Sequence, residues 1–429
     1  MPRASGPATP LLRAYSLGTR LLMPLAFRRS ARKLAEHGME APRIAERMGH
    51  ASLPRPAGTL VWFHGASVGE SLSVLRLIET LGAARPDLDF VITSGTATSA
   101  RILAQRMPPR CRHQFAPLDS PAAAARFLDH WRPDAGVFIE SELWPNLLQA
   151  AAARDIPLAL LNARISDRSA RGWTRIARTA RYLLSLFAMV HCQDTRTAQH
   201  LRALGCGIAE AGANLKAMAG ALPYDDAALE ALESDLGGRP LWVMASTHPG
   251  EEEIALRAHA AVLERLPDAL MVLVPRHPER ADEIARMIDA HGLGHTQRSR
   301  GAGIGVAPVY LADTLGEMGL WYRLAPLVCV GGSFVPVGGH NPFEVAHGGA
   351  AVLHGPLYAN FAAGYASMDD AGAAREVADA EALGRALGDL LATPQDLSAM
   401  RRNARAFAAE QQGSLEDLAT ALCAALDLR

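Results

Sequence analysis

The chain is 429 residues long, 49% hydrophobic and 20% charged, with a formal net charge of −1. That is more than one core ordinarily holds and too apolar for disorder, so two folded domains are expected. Near-neutral charge excludes bulk electrostatic binding of nucleic acid; five cysteines (Cys111, Cys192, Cys206, Cys329, Cys423), odd in number and without Cys-x-x-Cys spacing, exclude a disulfide framework and argue for a reducing compartment without structural zinc.

Residues 11–27 are mostly apolar but include Arg13 and Arg20, and Arg28, Arg29, Arg32 and Lys33 follow. The stretch is too short and too charged for a spanning helix, and its basic cluster follows the apolar run, the reverse of a signal peptide. Two readings stand: an interfacial anchor whose basic cluster meets anionic lipid, or an amphipathic helix packed on the first domain.

From residue 59 the pattern alternates strand, loop and helix. Strands are expected at 59–64, 89–93, 135–140, 156–162 and 188–193, with helices at 71–84, up to 105 and at 145–154, and Asp194 caps the next helix. A second series follows a short stretch containing Gly220 and Pro223: strands at 240–245, 269–275, 327–330 and 351–354, helices at 251–265 and 280–291, and helices from 381 to the end. Residues 294–306, rich in Gly, Arg and Ser, read as a surface loop. Such alternation implies parallel sheets covered on both faces, in two similar doubly wound domains. Ligands of such sheets lie beyond the carboxyl ends of strands, which makes the cleft between two facing domains the expected site.

The unusual polar clusters fall just after strands. Glu70 follows the first one in Ser67-Val-Gly-Glu70, where it either complements a helix dipole or acts as a base; the dipole would lower its pKa, so base chemistry needs compensating desolvation. Glu140-Ser-Glu142-Leu-Trp-Pro-Asn follows another strand, and one of the two glutamates is assigned to function. In the second half Ser246 or Thr247 would cap a helix or bind an anion, and Arg276 is placed either to fork onto phosphate or to pair on the surface. Gly331-Gly332 and Gly338-Gly339 lead to Asn341-Pro342, a cap followed by proline; Glu344, three residues on, has the spacing of a capping box. Helix starts of this kind attract phosphate. No Walker A, Gly-x-Gly-x-x-Gly or His-Glu-x-x-His pattern and no cluster with metal-ligand spacing is present.

Taken together, His64-Gly-Ala-Ser-Val-Gly-Glu70, Glu140-Ser-Glu-Leu-Trp-Pro-Asn146, Asn162-Ala-Arg-Ile-Ser-Asp-Arg-Ser169, Asn214-Leu-Lys216, Ala245-Ser-Thr-His248, Val274-Pro-Arg-His-Pro-Glu-Arg280 and Gly338-Gly-His-Asn-Pro-Phe-Glu344 resemble the 3-deoxy-D-manno-octulosonic acid (Kdo) transferases of lipopolysaccharide assembly. The resemblance implies an α/β fold of glycosyltransferase-B type, with two facing Rossmann-like domains and an interdomain cleft. It implies inverting transfer of Kdo from CMP-Kdo to the lipid A precursor at the cytoplasmic face of the bacterial inner membrane, without cofactor or metal. The expected division is a membrane-associating segment 1–35, an acceptor-binding domain 36–215 and a CMP-sugar-binding domain 216–429 whose last helix packs back on the first domain. By the same resemblance Glu70 is the proton acceptor, and Glu140 and Lys216 stabilise the transition state. Pro275, Arg276, Leu315, Gly316, Glu317, Asn341, Pro342, Phe343 and Glu344 bind CMP.

Two other classes stay open. One is a different sugar-nucleotide enzyme of the same fold, such as a UDP-sugar transferase or epimerase, which UDP rather than CMP would inhibit. The other is a non-catalytic membrane protein that binds glycolipid, against which the joint presence of Glu70, Arg276 and Glu344 argues. Arg164, Arg168, Arg171, Arg175 and Arg178 are the candidate acceptor contacts, or else a solvated helix face.

Overall fold

The computed structural model describes residues 8–218 and 220–428. Residues 8–218 with 413–428 form one compact unit, and Gly220–Gln412 the other. Each unit is built on a seven-stranded parallel sheet.

The first sheet comprises β1 (Thr59–His64), β2 (Leu88–Ser94), β3 (Cys111–Phe115), β4 (Ala135–Ile139), β5 (Leu158–Ala163), β6 (Phe187–Cys192) and β7 (Ala209–Ala211), in the order β3-β2-β1-β4-β5-β6-β7. Side chains alternate between its faces, and both faces are buried. Leu60 and Trp62 of β1 join Phe127, Phe138 and Trp131 on one side, while Val61 and Phe63 join Ile78, Phe90 and Leu422 on the other. Trp62 meets Phe138 edge-on at 5.0 Å and donates its Nε1 proton to Thr93 Oγ1 at 2.9 Å, so the indole is both packed and satisfied. The last helix, Pro394–Ala425, ends on this unit: Leu415, Leu418 and Leu422 lie in the same cluster as Ile78.

The second sheet comprises β8 (Leu241–Thr247), β9 (Leu270–Pro275), β10 (His295–Gln297), β11 (Val309–Leu311), β12 (Leu327–Val330), β13 (Ala351–His354) and β14 (Ala374–Glu376), ordered β10-β11-β9-β8-β12-β13-β14. In both sheets the strand order reverses beside the first strand, between β1 and β4 and between β8 and β12. Those two reversals are where doubly wound sheets open a crevice for ligands.

Several elements depart from expectation. The stretch 294–306 is not only loop: it contains β10 and a helical turn Arg298–Arg300. β3, β7, β10 and β14 had no apolar run to announce them, since Cys-Arg-His-Gln-Phe, Ala-Glu-Ala, His-Thr-Gln and Ala-Arg-Glu are short and polar; β3, β7, β10 and β14 sit at the four sheet edges, where polar residues are tolerated. The first domain's series therefore does not close at residue 193. The expected helix 71–84 is two helices, Val68–Ser73 and Leu75–Ala84, joined at Val74.

The N-terminal helix spans Pro10–Glu36, with Pro24 inside it. Leu12 and Leu34 are buried, while Leu17, Leu21, Leu22 and Leu25 are exposed. No helix among the described residues is long and apolar enough to cross a membrane.

Candidate functional site

In the first unit the loops after β1 and β4 flank the reversal of strand order, and both carry carboxylates. Ser67 caps the helix Val68–Ser73: its Oγ accepts from Glu70 N at 3.2 Å. Glu70 closes the box in return, its Oε2 accepting from Ser67 N at 3.4 Å; Oε2 also accepts from Ala66 N at 2.7 Å, and Oε1 from Ser67 Oγ at 2.8 Å. Burial pushes the Glu70 carboxyl above the ordinary carboxylate range, and the charges of Glu142 and Glu140 push it the same way, against the bonds from Ser67 and Ala66. The expected lowering by the helix dipole is outweighed. A carboxylate tied at one edge and raised in pKa is a candidate general base.

Glu140 stands at the carboxyl end of β4 with a left-handed backbone, φ 57°. Its Oε1 lies 2.8 Å from Lys216 Nζ. The lysine is delivered by a turn fixed from below: buried Asn162, itself at φ 55°, accepts from Leu215 N at 3.0 Å, and Asn214 Oδ1 accepts from Lys216 N at 3.0 Å. Glu140 and Asn162 thus both take the left-handed region at the carboxyl ends of the paired strands β4 and β5, which is uncommon for a glutamate. Glu142 is engaged elsewhere. It accepts the Trp144 Nε1 proton and lies 3.5 Å from Nε2 of the fully buried His64. Of the two glutamates, Glu140 is therefore the one joined to a cation.

The same motif holds the N-terminal helix. Ser16 Oγ donates to Asn146 Oδ1 at 2.6 Å, and Asn146 Nδ2 donates to Thr19 Oγ1 at 3.1 Å. Asp119 accepts from Tyr15 at 3.0 Å and from the amides of Asn146 and Leu147 at 3.2 and 2.9 Å. Arg164, Arg168, Arg171, Arg175 and Arg178 are all exposed, without a side-chain partner among the described residues.

In the second unit the loops after β8 and β12 meet. Ser246, at φ 58°, forms an irregularity at the end of β8. Thr247 neither caps a helix nor faces an anion, because its hydroxyl donates to Glu252 Oε1 at 2.9 Å; the helix Glu251–Arg265 starts after Gly250 without a side-chain cap. Buried Glu252 in turn pairs with Arg280 at 2.6 Å. Buried Glu251 accepts from the amides of Gly332, Ser333 and Phe334, fixing the glycine-rich loop.

Arg276 follows β9, exposed and unpaired among the described residues, with its amide bonded to Thr247 O at 3.0 Å. Pro275 beside it ends β9 and is buried. His248 and His340 stack with ring centroids 5.1 Å apart and Nε2 atoms at 2.9 Å, and His277 is 5.9 Å from His248. Burial, helped by His248 and Arg276, pulls the His340 imidazole down to about 4, and burial also lowers His248.

The short helix near the second glycine pair runs from Phe343 to Gly348, one residue later than expected. Asn341 Oδ1 accepts from Phe343 N at 3.1 Å, but Glu344 takes the Asn341 side-chain amide at 3.1 Å rather than its backbone N–H. Pro342 and Phe343 are buried, the latter stacked parallel on Phe407 at 6.1 Å. Leu315 projects 79% exposed, and Gly316 has φ 89°. Glu317 is gripped by Arg298 through two bonds, 2.6 and 3.2 Å, and by Thr314. That arginine holds the Glu317 carboxyl below its usual range.

Residues that sequence reasoning gave no role are Asn162, Asn146, Glu251, Glu252 and Arg280. Asn162, Asn146 and Arg280 stand inside the motifs that carried the resemblance, and Glu251 and Glu252 read as ordinary acids at a helix start.

A family model of the 3-deoxy-D-manno-octulosonic-acid transferases (kdotransferases) matches residues 42–219. The chain is 36% identical to the 3-deoxy-D-manno-octulosonic acid transferase of Bordetella pertussis, over 93% of this chain and 96% of that one. It is 33% identical to a probable mitochondrial 3-deoxy-D-manno-octulosonic acid transferase of Arabidopsis thaliana, over 91% and 90%. Among solved structures, a putative UDP-N-acetylglucosamine 2-epimerase from Listeria monocytogenes matches 87% of this chain and 98% of its own, with a TM-score of 0.60 at 14% identity, which shows a shared fold alone. The two doubly wound units are of the glycosyltransferase-B class, and the chain belongs to the Kdo transferases, glycosyltransferases of lipopolysaccharide biosynthesis.

Proposed function

We propose that the protein transfers Kdo from CMP-Kdo to the lipid A precursor lipid IVA, with inversion at the anomeric carbon. The observation that carries this reading is the state of Glu70, a carboxylate with raised pKa held beside the Glu140–Lys216 pair. Glu70 takes the proton of the acceptor hydroxyl as that oxygen attacks the anomeric carbon; the bond to the CMP phosphate breaks, and the electron pair leaves with CMP. Lys216, steered by Glu140, stabilises charge that shifts during this step, and it acts most where the oxocarbenium-like transition state differs from the bound donor.

The nucleotide belongs to the second unit. Arg276 offers an unpaired guanidinium to the phosphate, Asn341 and Glu344 present polar groups for the ribose, and Pro275, Pro342 and Phe343 support them from buried positions. Leu315 and Gly316 contribute an exposed edge, and Glu317 secures it through Arg298. The acceptor is an anionic glycolipid, met by the five exposed arginines between Arg164 and Arg178 and by the exposed leucines of the N-terminal helix, on the cytoplasmic face of the inner membrane.

Incubation of the protein with freshly generated CMP-Kdo and lipid IVA, beside Glu70→Gln, tests this. Product from the wild type alone, with CMP bound by both, is expected. Turnover by Glu70→Gln at the wild-type rate would remove Glu70 as the base, and inhibition by UDP but not CMP would replace the donor.

A further inference from the structure

Glu251 has no part in the chemistry above, yet it is fully buried and accepts four backbone N–H bonds. Its Oε1 accepts from Ser333 N at 3.0 Å and Phe334 N at 2.9 Å; its Oε2 accepts from Gly332 N at 2.7 Å and His248 N at 3.0 Å. Successive amides after a glycine pair form the concave nest that phosphates commonly enter. Here the chain's own carboxylate fills it.

We infer that Glu251 is an internal anion that templates the loop 331–341, so that the donor phosphate is directed to Arg276 and the imidazoles of His248 and His340 instead of the nest. This rests on the donor site proposed above. Glu251 is a positioning residue: it touches the loop, not the nucleotide. An ionised carboxylate is the side chain that fits, because it is acceptor-only with two oxygens for four N–H groups, whereas an amide would turn N–H against N–H at one of them. The bland alternative is complementing a helix dipole. Its neighbours show how that position is otherwise used: Glu252 pairs with Arg280, and Glu253, half exposed, pairs with His291. Of the three, Glu251 alone is bonded to the loop after β12. The packing leaves no slack, since a Cβ on Gly331 would meet Ser246 O at 2.7 Å and Glu251 Oε2 at 3.0 Å.

The test combines calorimetric titration with CMP, steady-state kinetics, and amide hydrogen exchange of the wild type, Glu251→Gln and the control Glu253→Gln. In the wild type the amides of Gly332, Ser333 and Phe334 are expected to be protected before CMP is added. In Glu251→Gln they lose protection while β8 and β9 keep theirs. Its CMP dissociation constant and donor KM rise about tenfold or more, and the acceptor KM does not move. Glu253→Gln behaves as wild type. A folded Glu251→Gln with unchanged CMP affinity overturns the inference. So does a wild type whose three amides exchange freely until CMP protects them, because the nest then holds the phosphate. If Glu251→Gln does not fold, that wild-type exchange pattern decides alone. A wild type that binds no CMP sinks the donor reading, while protection of the three amides still decides whether Glu251 templates the loop.

Discussion

Lys216 Nζ lies 2.8 Å from Glu140 Oε1, although the lysine arrives on a turn past β7 and the glutamate at the end of β4. The side chains are 25% and 14% exposed, so solvent screens the pair only in part. A pair of this kind is costly to break from one side, because the remaining charge stays partly desolvated.

Replacing Lys216 by Met is therefore expected to lower kcat on the order of 10²-fold, the scale of losing one group that stabilises charge in a transition state. CMP affinity should not move. Adding Glu140→Gln should cost less than the sum of the two single changes, with a coupling of about 0.5–3 kcal/mol in a double-mutant cycle. Additive losses would mean that the two residues act separately, and the contact would then have no bearing on turnover.

Glu70 gives the pH dependence. A base works ionised, and burial raises its pKa, so the rising limb of the kcat/KM profile is expected above the ordinary carboxylate range. Stability follows from the same shift. A folded-state pKa above the unfolded one means a contribution that is full below the unfolded value and lost as pH rises through the folded value. Relative to Glu70→Gln, the wild type should lose melting temperature across that window. Turnover of the variant should fall by about 10²–10⁴-fold. A limb at the ordinary carboxylate pKa, or parallel melting curves, would contradict the assignment.

The alternation of apolar runs and polar loops made the interior strands legible, because β1, β4, β5 and β9 are buried on both faces and leave no polar alternation to confuse them. That Glu70 lies in a first helical turn was legible for local reasons, although the helix starts at Val68, three residues earlier than the pattern gave. What could not be read is what depends on distant chain segments meeting. Nothing near Asn162 announces that it holds the turn carrying Lys216, and nothing in Glu251-Glu-Glu tells which acid turns inward to the loop after β12. The left-handed backbone at Glu140 and Ser246 is likewise set by the surrounding sheet rather than by residue type.

Asn146 tests the link between the N-terminal helix and the motif after β4. It is buried, and its side chain bonds Ser16, Thr19 and the Asp119 carbonyl. Asn146→Ala leaves these partners unmatched and is expected to cost roughly 1–3 kcal/mol in denaturant unfolding. Cleavage within residues 10–36 by a low concentration of protease should also become faster. Unchanged protection of that helix would show that the Tyr15–Asp119 bond and the buried Leu12 and Leu34 hold it without Asn146.

The stacked imidazoles supply the last prediction. With His340 drawn down to about 4 and His248 also lowered, both are neutral at pH 7 in the free protein. The groups acting on them are Arg276 and His277, which disfavour protonation, and Glu251 and Glu252, which favour it at His248. A CMP phosphate bound at Arg276 adds negative charge beside them, so it raises the imidazole pKa values and binding takes up protons. Linkage then requires CMP affinity to rise as pH falls toward the lowered imidazole pKa values, opposite to the trend expected from protonating the phosphate itself. Calorimetry in buffers of different ionisation enthalpy measures the uptake directly. His340→Gln should reduce it and flatten the pH dependence while CMP still binds. Binding without proton uptake in the wild type would place the phosphate away from this pair and leave Arg276 as its partner without them.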